Sequence, residues 1–202
     1  MLILGLGQII HVLLVGHQLF SMTQLTVWQI FILFIYFIVN MTDKDNCDNI
    51  TYRLATMTDI DTIVRLDRTV FKSNNISESY YLDEIKQNYC YVASQLDEII
   101  GCILFNPVFF YDEAEFAYIK SLFSIRSHCK VGENLMKIAI ENIQQNLLKL
   151  DYKTDEITIA LHVNTNNYRA LNLYFKLGFK IHKFIKKFYR KDGDGFLMVS
   201  QM

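Results

Sequence analysis

From residue 50 onward, stretches of alternating apolar and polar residues are followed by stretches whose apolar positions recur at helical spacing. Thr51–Leu54 has the first pattern and predicts a short strand. Residues 60–71 have the second pattern and predict a helix that Asp59 can cap, because a carboxylate can accept a hydrogen bond from a free backbone N–H of the first turn. Residues 77–86 predict a second helix, with Ser77 as its cap.

The rest of the chain continues this alternation of strands and helices. Residues 89–94 and 98–107 predict a hairpin across 95–97, in which Pro107 ends the second strand and 109–115 form a loop. The elements predicted after this loop are strand 116–125, helix 132–150, strand 156–163, helix 167–177, strand 180–189 and strand 196–201. The order β-α-α-β-β-β-α-β-α-β-β predicts an α/β (α+β) fold with a mixed central sheet and helices on both faces.

Residues 161–179 carry the most specific pattern of the chain. A strand ends at Val163, an Asn-rich turn follows, and a helix is closed by Gly178. Asn166 or Asn167 can cap this helix by accepting a hydrogen bond from its first turn. Gly178 is the residue expected to adopt a left-handed conformation just past the helix end.

This order of residues (His-Val, Asn-x-x-Ala, Tyr and then Gly-Phe) resembles the C-terminal half of the Gcn5-related acetyltransferase (GNAT) superfamily. The resemblance implies the GNAT acyl-CoA N-acyltransferase fold for residues 50–202, with acetyl-CoA as co-substrate and no metal. It also implies that the cofactor pyrophosphate lies at the N-terminus of helix 132–150. Free backbone N–H groups and the helix dipole both favour an anion there.

The loop before that helix is a degenerate form of the family's Gln/Arg-x-x-Gly-x-Gly/Ala signature. Aligned without gaps from Tyr118, Gly132 is the first glycine and Asn134 stands at the second; aligned on the helix, Gly132 is the second glycine and the loop is two residues short. Glu133 is unfavourable beside a pyrophosphate unless it points away. The cofactor-binding residues that the resemblance implies are Leu122, Ser124, Lys130, Val131, Gly132, Asn134, Asn167 and Tyr174.

Tyr118 on the fourth predicted strand and His162 on the fifth carry the candidate chemistry. In this fold the two strands are neighbours that splay apart, and the pair resembles that of the NatE- and NatF-type N-terminal acetyltransferases, where a Tyr and a His hold a water that deprotonates the substrate amine. An α-amine of pKa about 8 attacks a thioester only when it is neutral, and a histidine of pKa about 6.5 can relay its proton. The resemblance further implies that Tyr174 protonates the leaving thiolate. Structural hydrogen bonding by Tyr118 and His162, and a core position for Tyr174, are the alternatives.

Phe71, Lys120, Phe188 and Tyr189 are the predicted substrate-binding residues. By resemblance, Phe71 matches an aromatic residue in the loop after the first helix, and Phe188 and Tyr189 match an aromatic pair that closes over the substrate backbone. Lys120 replaces an apolar residue that helps line the pocket for the first substrate residue. Phe188 stands where Tyr is commoner, and the loop after Phe71 lacks the family's usual Phe-Pro start. Together these departures are compatible with acetyl transfer but argue against a firm preference for N-termini that begin with Met and a hydrophobic residue.

Charge and cysteine spacing argue against other classes of function. The net charge is −1, which argues against broad electrostatic binding to nucleic acid. The cysteines show no CxxC or Cys/His spacing typical of a metal site, and free thiols in a reducing compartment are expected. They are Cys47, Cys90, Cys102 and Cys129.

Residues 1–42 contain no Asp, Glu, Lys or Arg. Residues 27–39 are almost continuously apolar but span only about 20 Å as a helix, so a segment such as 19–39 is needed to cross the roughly 30 Å core of a membrane. The extension predicts either a membrane anchor or a chain translated from too early a start, since Met41 opens a sequence of ordinary soluble composition. The anchor would be a single span around residues 19–39 or a short helical hairpin. A helix packed on the domain is the third interpretation, and such a helix lacks a polar face.

The sequence therefore predicts an acetyl-CoA-dependent Nα-acetyltransferase that acts on protein or peptide N-termini by direct attack in a ternary complex. Acetylation of lysine or of a small amine is one alternative, and an acyl-CoA-binding module that has lost catalysis is another. We expect the protein in the cytoplasm, or on the cytoplasmic face of a membrane if residues 1–42 are an anchor.

Overall fold

Strands and helices follow one another in the predicted order in a computed structural model, which describes residues 47–111, 114–126, 129–150, 157–190 and 193–201. The described strands are β1 (Thr51–Leu54), β2 (Cys90–Gln95), β3 (Glu98–Tyr111), β4 (Ala114–Ser124), β5 (Thr158–Asn164), β6 (Lys180–Ile185) and β7 (Gly195–Gln201). The described α-helices are α1 (Ile60–Phe71), α2 (Glu78–Lys86), α3 (Val131–Lys149) and α4 (Tyr168–Lys176).

The described strands form one sheet in the order β1-β2-β3-β4-β5-β7-β6. Neighbouring strands are antiparallel except β4 and β5, which run parallel. Apolar residues of α3 and α4 pack with one set of inward-facing sheet residues, and those of α1 and α2 pack with another. Because successive residues of a strand point to opposite faces, Val92 and Ala93 belong to different clusters. The predicted mixed sheet with helices on both faces is confirmed.

The two parallel strands separate soon after they pair. The ladder between β4 and β5 ends at Ile119 and Leu161, although β4 continues to Ser124 and β5 to Asn164. On its other side β5 stays paired with β7 as far as Asn164. A cleft therefore opens within the sheet, lined by the ends of β4 and β5.

The predicted caps of α2 and α4 are confirmed. Ser77 Oγ accepts a hydrogen bond from the Tyr80 N–H at 3.3 Å, and Asn167 Oδ1 accepts one from the Ala170 N–H at 3.2 Å. Gly178 follows α4 with φ of 87°, the left-handed conformation in which glycine has no Cβ clash.

Asp59 does not cap α1 with its side chain, contrary to the prediction. A 3-10 turn at Met57–Asp59 precedes α1, and the carboxylate accepts hydrogen bonds from the Arg53 guanidinium at 2.7 and 2.8 Å and from the Thr56 N–H at 2.7 Å. The hydrogen bonds from Arg53 are the main reason that the pKa of Asp59 is lowered to about 2. Asp59 therefore joins β1 to the start of α1.

Two predicted strand boundaries are wrong. β3 does not end at Pro107 but continues to Tyr111, so most of the predicted loop 109–115 belongs to β3 and β4. The register of β3 against β4 shifts between Asn106 and Phe109, and such an irregularity accommodates a proline that cannot donate to the ladder. β6 ends at Ile185 rather than residue 189, because the chain turns there with Lys187 and Arg190 at positive φ.

Cys47 and Cys129 form a disulfide, so the expectation of free thiols is wrong for this pair. The sequence hides the pairing because the two residues are 82 positions apart. The fold brings them together by placing β1 beside the start of α3, where Asn134 donates a hydrogen bond to the Tyr52 hydroxyl at 2.9 Å. Cys90 and Cys102 are free and buried, as expected for reduced thiols.

We expect the disulfide to stabilise the fold, because it closes a long loop and so restricts the unfolded chain. Cys47→Ser should lower the free energy of unfolding by about 2–4 kcal/mol in urea melts without reductant. Adding reductant should destabilise the wild-type chain to the same degree and leave Cys47→Ser unchanged. Titration of four rather than two thiols in the unreduced, unfolded wild type contradicts the pairing.

Among the residues that the structure describes, no helix is long and apolar enough to cross a membrane. The predicted extension of residues 1–42, with its candidate span at 19–39, lies outside the described residues. The anchor, the early start and the cellular location all stay predictions.

Candidate active site

Tyr118 and His162 meet at the point where β4 and β5 separate. Tyr118 pairs with Ala160 in the ladder. His162 lies two residues after Ala160 on β5, so the side chains of Ala160 and His162 point to the same face of the sheet. The Tyr118 hydroxyl is 2.5 Å from Nδ1 of His162. The predicted pair is therefore in direct hydrogen-bond contact. When the imidazole proton is on Nε2, the tyrosine donates and Nδ1 accepts.

An aromatic wall holds the His162 ring in place. The ring of Phe188 stacks on it with centroids 4.1 Å apart and planes 8° apart, and Tyr189 contacts Phe188 edge to face at 4.9 Å. Both residues come from the turn after β6, so that turn supplies one side of the site. The predicted aromatic pair thus lies against the predicted base.

Gly195 gives Phe188 the room to reach His162. A Cβ on Gly195 would stand 2.9 Å from Cβ of Phe188 and 3.1 Å from its Cγ, closer than ordinary van der Waals contact. The sequence shows Gly195 only as part of an Asp-Gly-Asp-Gly linker, which is a turn signal. Its role at the site was not predicted.

His162 is neutral at physiological pH. Burial, with a smaller contribution from the positive charge of Lys120, lowers its pKa to about 4. A neutral imidazole can accept a hydrogen bond or a proton at pH 7 without first losing one. Its low pKa also means that it passes a proton on rather than holding it.

Tyr174 is a buried tyrosine of α4 that lies near Tyr189. Burial, with a smaller contribution from Tyr189, raises the pKa of Tyr174, so the phenol keeps its proton. Burial also raises the pKa of Tyr189 to about 12. The Tyr174 ring contacts Phe179 at 5.9 Å and belongs to the core between α3, α4 and the sheet. A protonated phenol is what the predicted role of general acid requires. The buried position of Tyr174 is equally consistent with the alternative, in which it is a core aromatic residue.

The start of α3 has the features of an anion site. Lys130 is the N-cap residue in a left-handed conformation, and a lysine side chain has no acceptor with which to cap the first turn. Among the described residues, a Cβ on Gly132 would meet Leu173 at 3.6 Å and Leu122 at 3.9 Å, which is ordinary contact. Gly132 itself has no side chain that could cover the N–H groups of the first turn. These observations fit the pyrophosphate of acetyl-CoA at this helix end.

Glu133 points away from that helix end. Its carboxylate pairs with Lys176 at 2.6 Å and with Lys137 at 3.1 Å. Hydrogen bonds from Lys176 first, and then from Lys137, lower the pKa of Glu133 to about 2. The acid in the first turn is thus neutralised by lysines of α3 and α4.

The other predicted cofactor-binding residues make packing or hydrogen-bond contacts within the protein. Leu122 packs at the edge of the α3 core, and Val131 is buried beside Gly101. Ser124 Oγ bonds to the carbonyl and the N–H of Arg126 at 2.8 and 3.2 Å, and so shapes the loop before α3. Asn134 is directed to Tyr52 of β1, and the side-chain oxygen of Asn167 is used in the cap of α4. Their contact with acetyl-CoA stays a prediction.

Two predicted substrate residues lie on the opposite side of the sheet from α3. Phe71 packs edge to face on Phe123 of β4, with centroids 6.3 Å apart. Lys120 Nζ lies 5.2 Å from the ring centroid of Tyr80 and 5.9 Å from that of Tyr118. Tyr80 of α2 was not predicted, because at its helical position it reads as an ordinary amphipathic residue.

Asp67 fixes the segment that follows α1. This fully buried carboxylate accepts hydrogen bonds from the Tyr81 hydroxyl at 2.8 Å, the Ile76 N–H at 2.8 Å and, more weakly, Ser121 Oγ at 3.5 Å. Burial raises its pKa. Its place among the apolar positions of α1 was the available signal, but the role of Asp67 was not predicted.

The site thus combines a neutral histidine bonded to a tyrosine where β4 and β5 separate, an uncharged phenol on α4 and a helix N-terminus without a side-chain cap at the start of α3. Such a set can take a proton from an amine, return one to a leaving group and hold an anion. The chain matches the Acetyltransferase (GNAT) family over residues 59–179 and belongs to that family. It is an acetyl-CoA-dependent N-acetyltransferase.

One relative agrees with this assignment, and two solved structures share the fold. The chain is 30% identical over 171 residues to an N-alpha-acetyltransferase of Saccharolobus solfataricus, covering 79% of this chain and 98% of the relative. The fold is similar to that of the NatC complex bound to Gag peptide and CoA, with a TM-score of 0.64 and 24% identity over 76% of this chain and 98% of the other. It is also similar to Arabidopsis thaliana Naa50 with the bisubstrate analogue CoA-Ac-MVNAL, with a TM-score of 0.62 and 21% identity over 76% and 99% of the two chains.

Gly195→Ala tests the aromatic wall. The added methyl group should displace Phe188 from His162, lower the free energy of unfolding by about 1–3 kcal/mol and reduce acetyl transfer. In a Phe188→Ala background the same glycine substitution should cost much less, because the atoms that it clashes with are gone. Urea melts of the wild type, the two single variants and the double variant measure the coupling between Gly195 and Phe188. An equal loss of unfolding free energy from Gly195→Ala in both backgrounds contradicts the proposed contact.

His162 should make stability depend on pH. The unfolded histidine binds a proton at pH about 6.5, whereas burial lowers the folded pKa to about 4. As the pH falls through this window the unfolded state gains the proton first, so the free energy of unfolding decreases between those values. His162→Gln should flatten this part of the profile, and the exposed His182→Gln should leave it intact. An unchanged slope in His162→Gln shows that other groups cause it.

Proposed function

We propose that this chain acetylates the N-terminal α-amine of proteins or peptides. The observation that carries the proposal is the hydrogen-bonded pair of Tyr118 and His162 at the separation of β4 and β5. The N-alpha-acetyltransferase relative supports the same acceptor class.

The pair gives the chain a way to accept the proton of an attacking amine. An α-amine has a pKa of about 8, so a large fraction is protonated at neutral pH. His162 is neutral and Tyr118 is bonded to it, so the two can relay the amine proton, directly or through a water, toward solvent. Phe188 keeps the imidazole plane fixed while this occurs.

Acetyl-CoA supplies the acetyl group as a thioester, in which the carbon–sulfur bond breaks as the nitrogen–carbon bond forms. Lys130, Val131 and Gly132 at the start of α3 are suited to hold the pyrophosphate, since their backbone N–H groups point out of the helix end. Tyr174 keeps its proton and is suited to deliver it to the leaving sulfur. No cysteine nucleophile is needed, and Cys129 is occupied by its disulfide.

The test uses the full-length chain with acetyl-CoA and peptides that begin with Asp, Ser, Ala, Met-Leu or Met-Lys. A parallel set carries blocked N-termini and one free internal lysine. We expect release of CoA thiol only with free N-termini. Turnover that persists on blocked peptides moves the assignment to lysine acetylation, and silence in both sets with acetyl-CoA still bound moves it to a non-catalytic module.

Two variants separate catalysis from binding in that assay. His162→Ala and Tyr118→Phe should each lower kcat strongly, by roughly 10²-fold or more, as expected for loss of a proton-transfer group. Their affinity for acetyl-CoA should stay nearly unchanged, because neither residue lies at the start of α3. Equal loss of acetyl-CoA affinity makes the pair structural.

A further inference from the structure

Lys120 is the extra residue of a β-bulge beside the candidate active site. Leu104 of β3 pairs with Ser121 and Phe105 pairs with Ile119, so the register passes over Lys120. A bulge of this kind redirects a side chain. Here Ser121 bonds to Asp67 of α1 while the Lys120 ammonium lies over Tyr80 of α2. Both side chains therefore point to the α1 and α2 face of the sheet.

Two tyrosine rings hold the Lys120 ammonium. Nζ is 5.2 Å from the centroid of Tyr80 and 5.9 Å from that of Tyr118, distances at which a cation is attracted to an aromatic ring. The Tyr118 hydroxyl is also the partner of His162. The ammonium is thus anchored next to the group that is proposed to take the amine proton.

Within the part of the chain that the structure describes, no carboxylate forms an ion pair with this cation. Glu84 of α2 is near enough for the two charges to interact, but it is buried and its carboxylate is hydrogen-bonded to Tyr80. Lys120 itself is exposed. Its three N–H donors are therefore available to a ligand in the cleft.

We propose that Lys120 selects peptide N-termini whose first residue is acidic, Asp or Glu. This inference rests on the proposed function, because it needs the α-amine at Tyr118 and His162. Lys120 Nζ lies 5.9 Å from the ring centroid of Tyr118, so with the amine there the side chain of the same residue can reach the ammonium. A carboxylate in that place gains a charge-assisted hydrogen bond from Lys120, whereas an apolar side chain offers the ammonium no hydrogen-bond acceptor.

The same cation favours the reactive form of the amine. A positive charge close to an α-ammonium disfavours the protonated state and lowers the pKa of the amine. Lys120 acts on His162 in the same direction. The acidic side chain offsets the repulsion between Lys120 and the α-ammonium, so an acidic first residue assists binding. It also offsets part of the effect of Lys120 on the pKa of the amine, so the gain is expected in binding more than in deprotonation.

The experiment compares peptides that begin with Asp and with Asn and are otherwise identical, so that only the charge differs. We expect kcat/KM to be about tenfold higher for the Asp peptide, the size of one charge-assisted hydrogen bond, and to lose this preference as salt is added. A second readout is the Kd of each peptide for the enzyme saturated with CoA, measured by fluorescence anisotropy, which does not require turnover. The Asp peptide should bind more tightly there as well.

Variants assign the preference to Lys120. Lys120→Met should abolish it in both readouts, and Lys120→Arg should keep it. Lys86→Met removes the same charge from an exposed position on α2 and should leave the preference at the wild-type value. Thermal melts of Lys120→Met should match those of the wild type, because the side chain is exposed.

The outcomes separate the two proposals. Turnover of Ser, Ala or Met peptides with equal or better use of Asn over Asp overturns the role of Lys120 and leaves the proposed function standing. A preference that survives in Lys120→Met assigns it to another residue and overturns the inference. Failure of every peptide with a free N-terminus to react overturns the proposed function. If the Asp and Asn peptides then also bind with equal affinity, the role of Lys120 is overturned too.

Discussion

The early separation of β4 and β5 is the constraint on which the rest of the site depends. Two parallel strands that stayed paired to their ends would bury their backbone groups against each other and close the sheet. Here the ladder stops at Ile119 and Leu161, while β3 and β7 hold the outer edges of the two strands in place. The sheet is therefore continuous on both sides of the cleft. Tyr118 and His162 face each other where the cleft begins, and α3 starts close to where β4 ends.

The sheet also divides the chemistry between its two faces. Leu122 and Gly132 lie on the α3 side, where the helix N-terminus favours an anion. Lys120 and Ser121 lie on the α1 and α2 side, where the acceptor peptide is proposed to bind. Regular alternation cannot place neighbouring residues 120 and 121 on one face. The bulge supplies the extra residue that makes this division possible.

The order of the elements could be predicted from the sequence because it rests on local patterns. Helix periodicity, the caps at Ser77 and Asn167 and the left-handed Gly178 all depend on residues within one turn of each other, and all are present in the structure. The proximity of Tyr118 and His162 could be predicted only from the family resemblance, which implies that their two strands are neighbours. Its direct 2.5 Å contact was not, since the resemblance implied a bridging water.

What the sequence did not predict depends on contacts between distant segments. The disulfide of Cys47 and Cys129 and the packing of Phe188 on Gly195 each join residues from different elements. Asp59 looked like a helix cap because the arginine that binds it belongs to β1. Pro107 looked like a strand end because the irregular register that tolerates it is set by β4. In each case a local signal was present, and a tertiary contact decided its meaning.

Lys120 shows how one such contact changes a functional interpretation. In the sequence it is a departure from the family pattern, a charge where an apolar residue lines a pocket, and it weakens the prediction of substrate preference. In the structure the same charge is held by two aromatic rings next to His162, whose pKa it helps to lower. A cation placed beside a base and a cationic substrate is unfavourable unless something anionic accompanies the substrate. The departure is therefore better explained as a change in the accepted N-terminus than as a loss of activity.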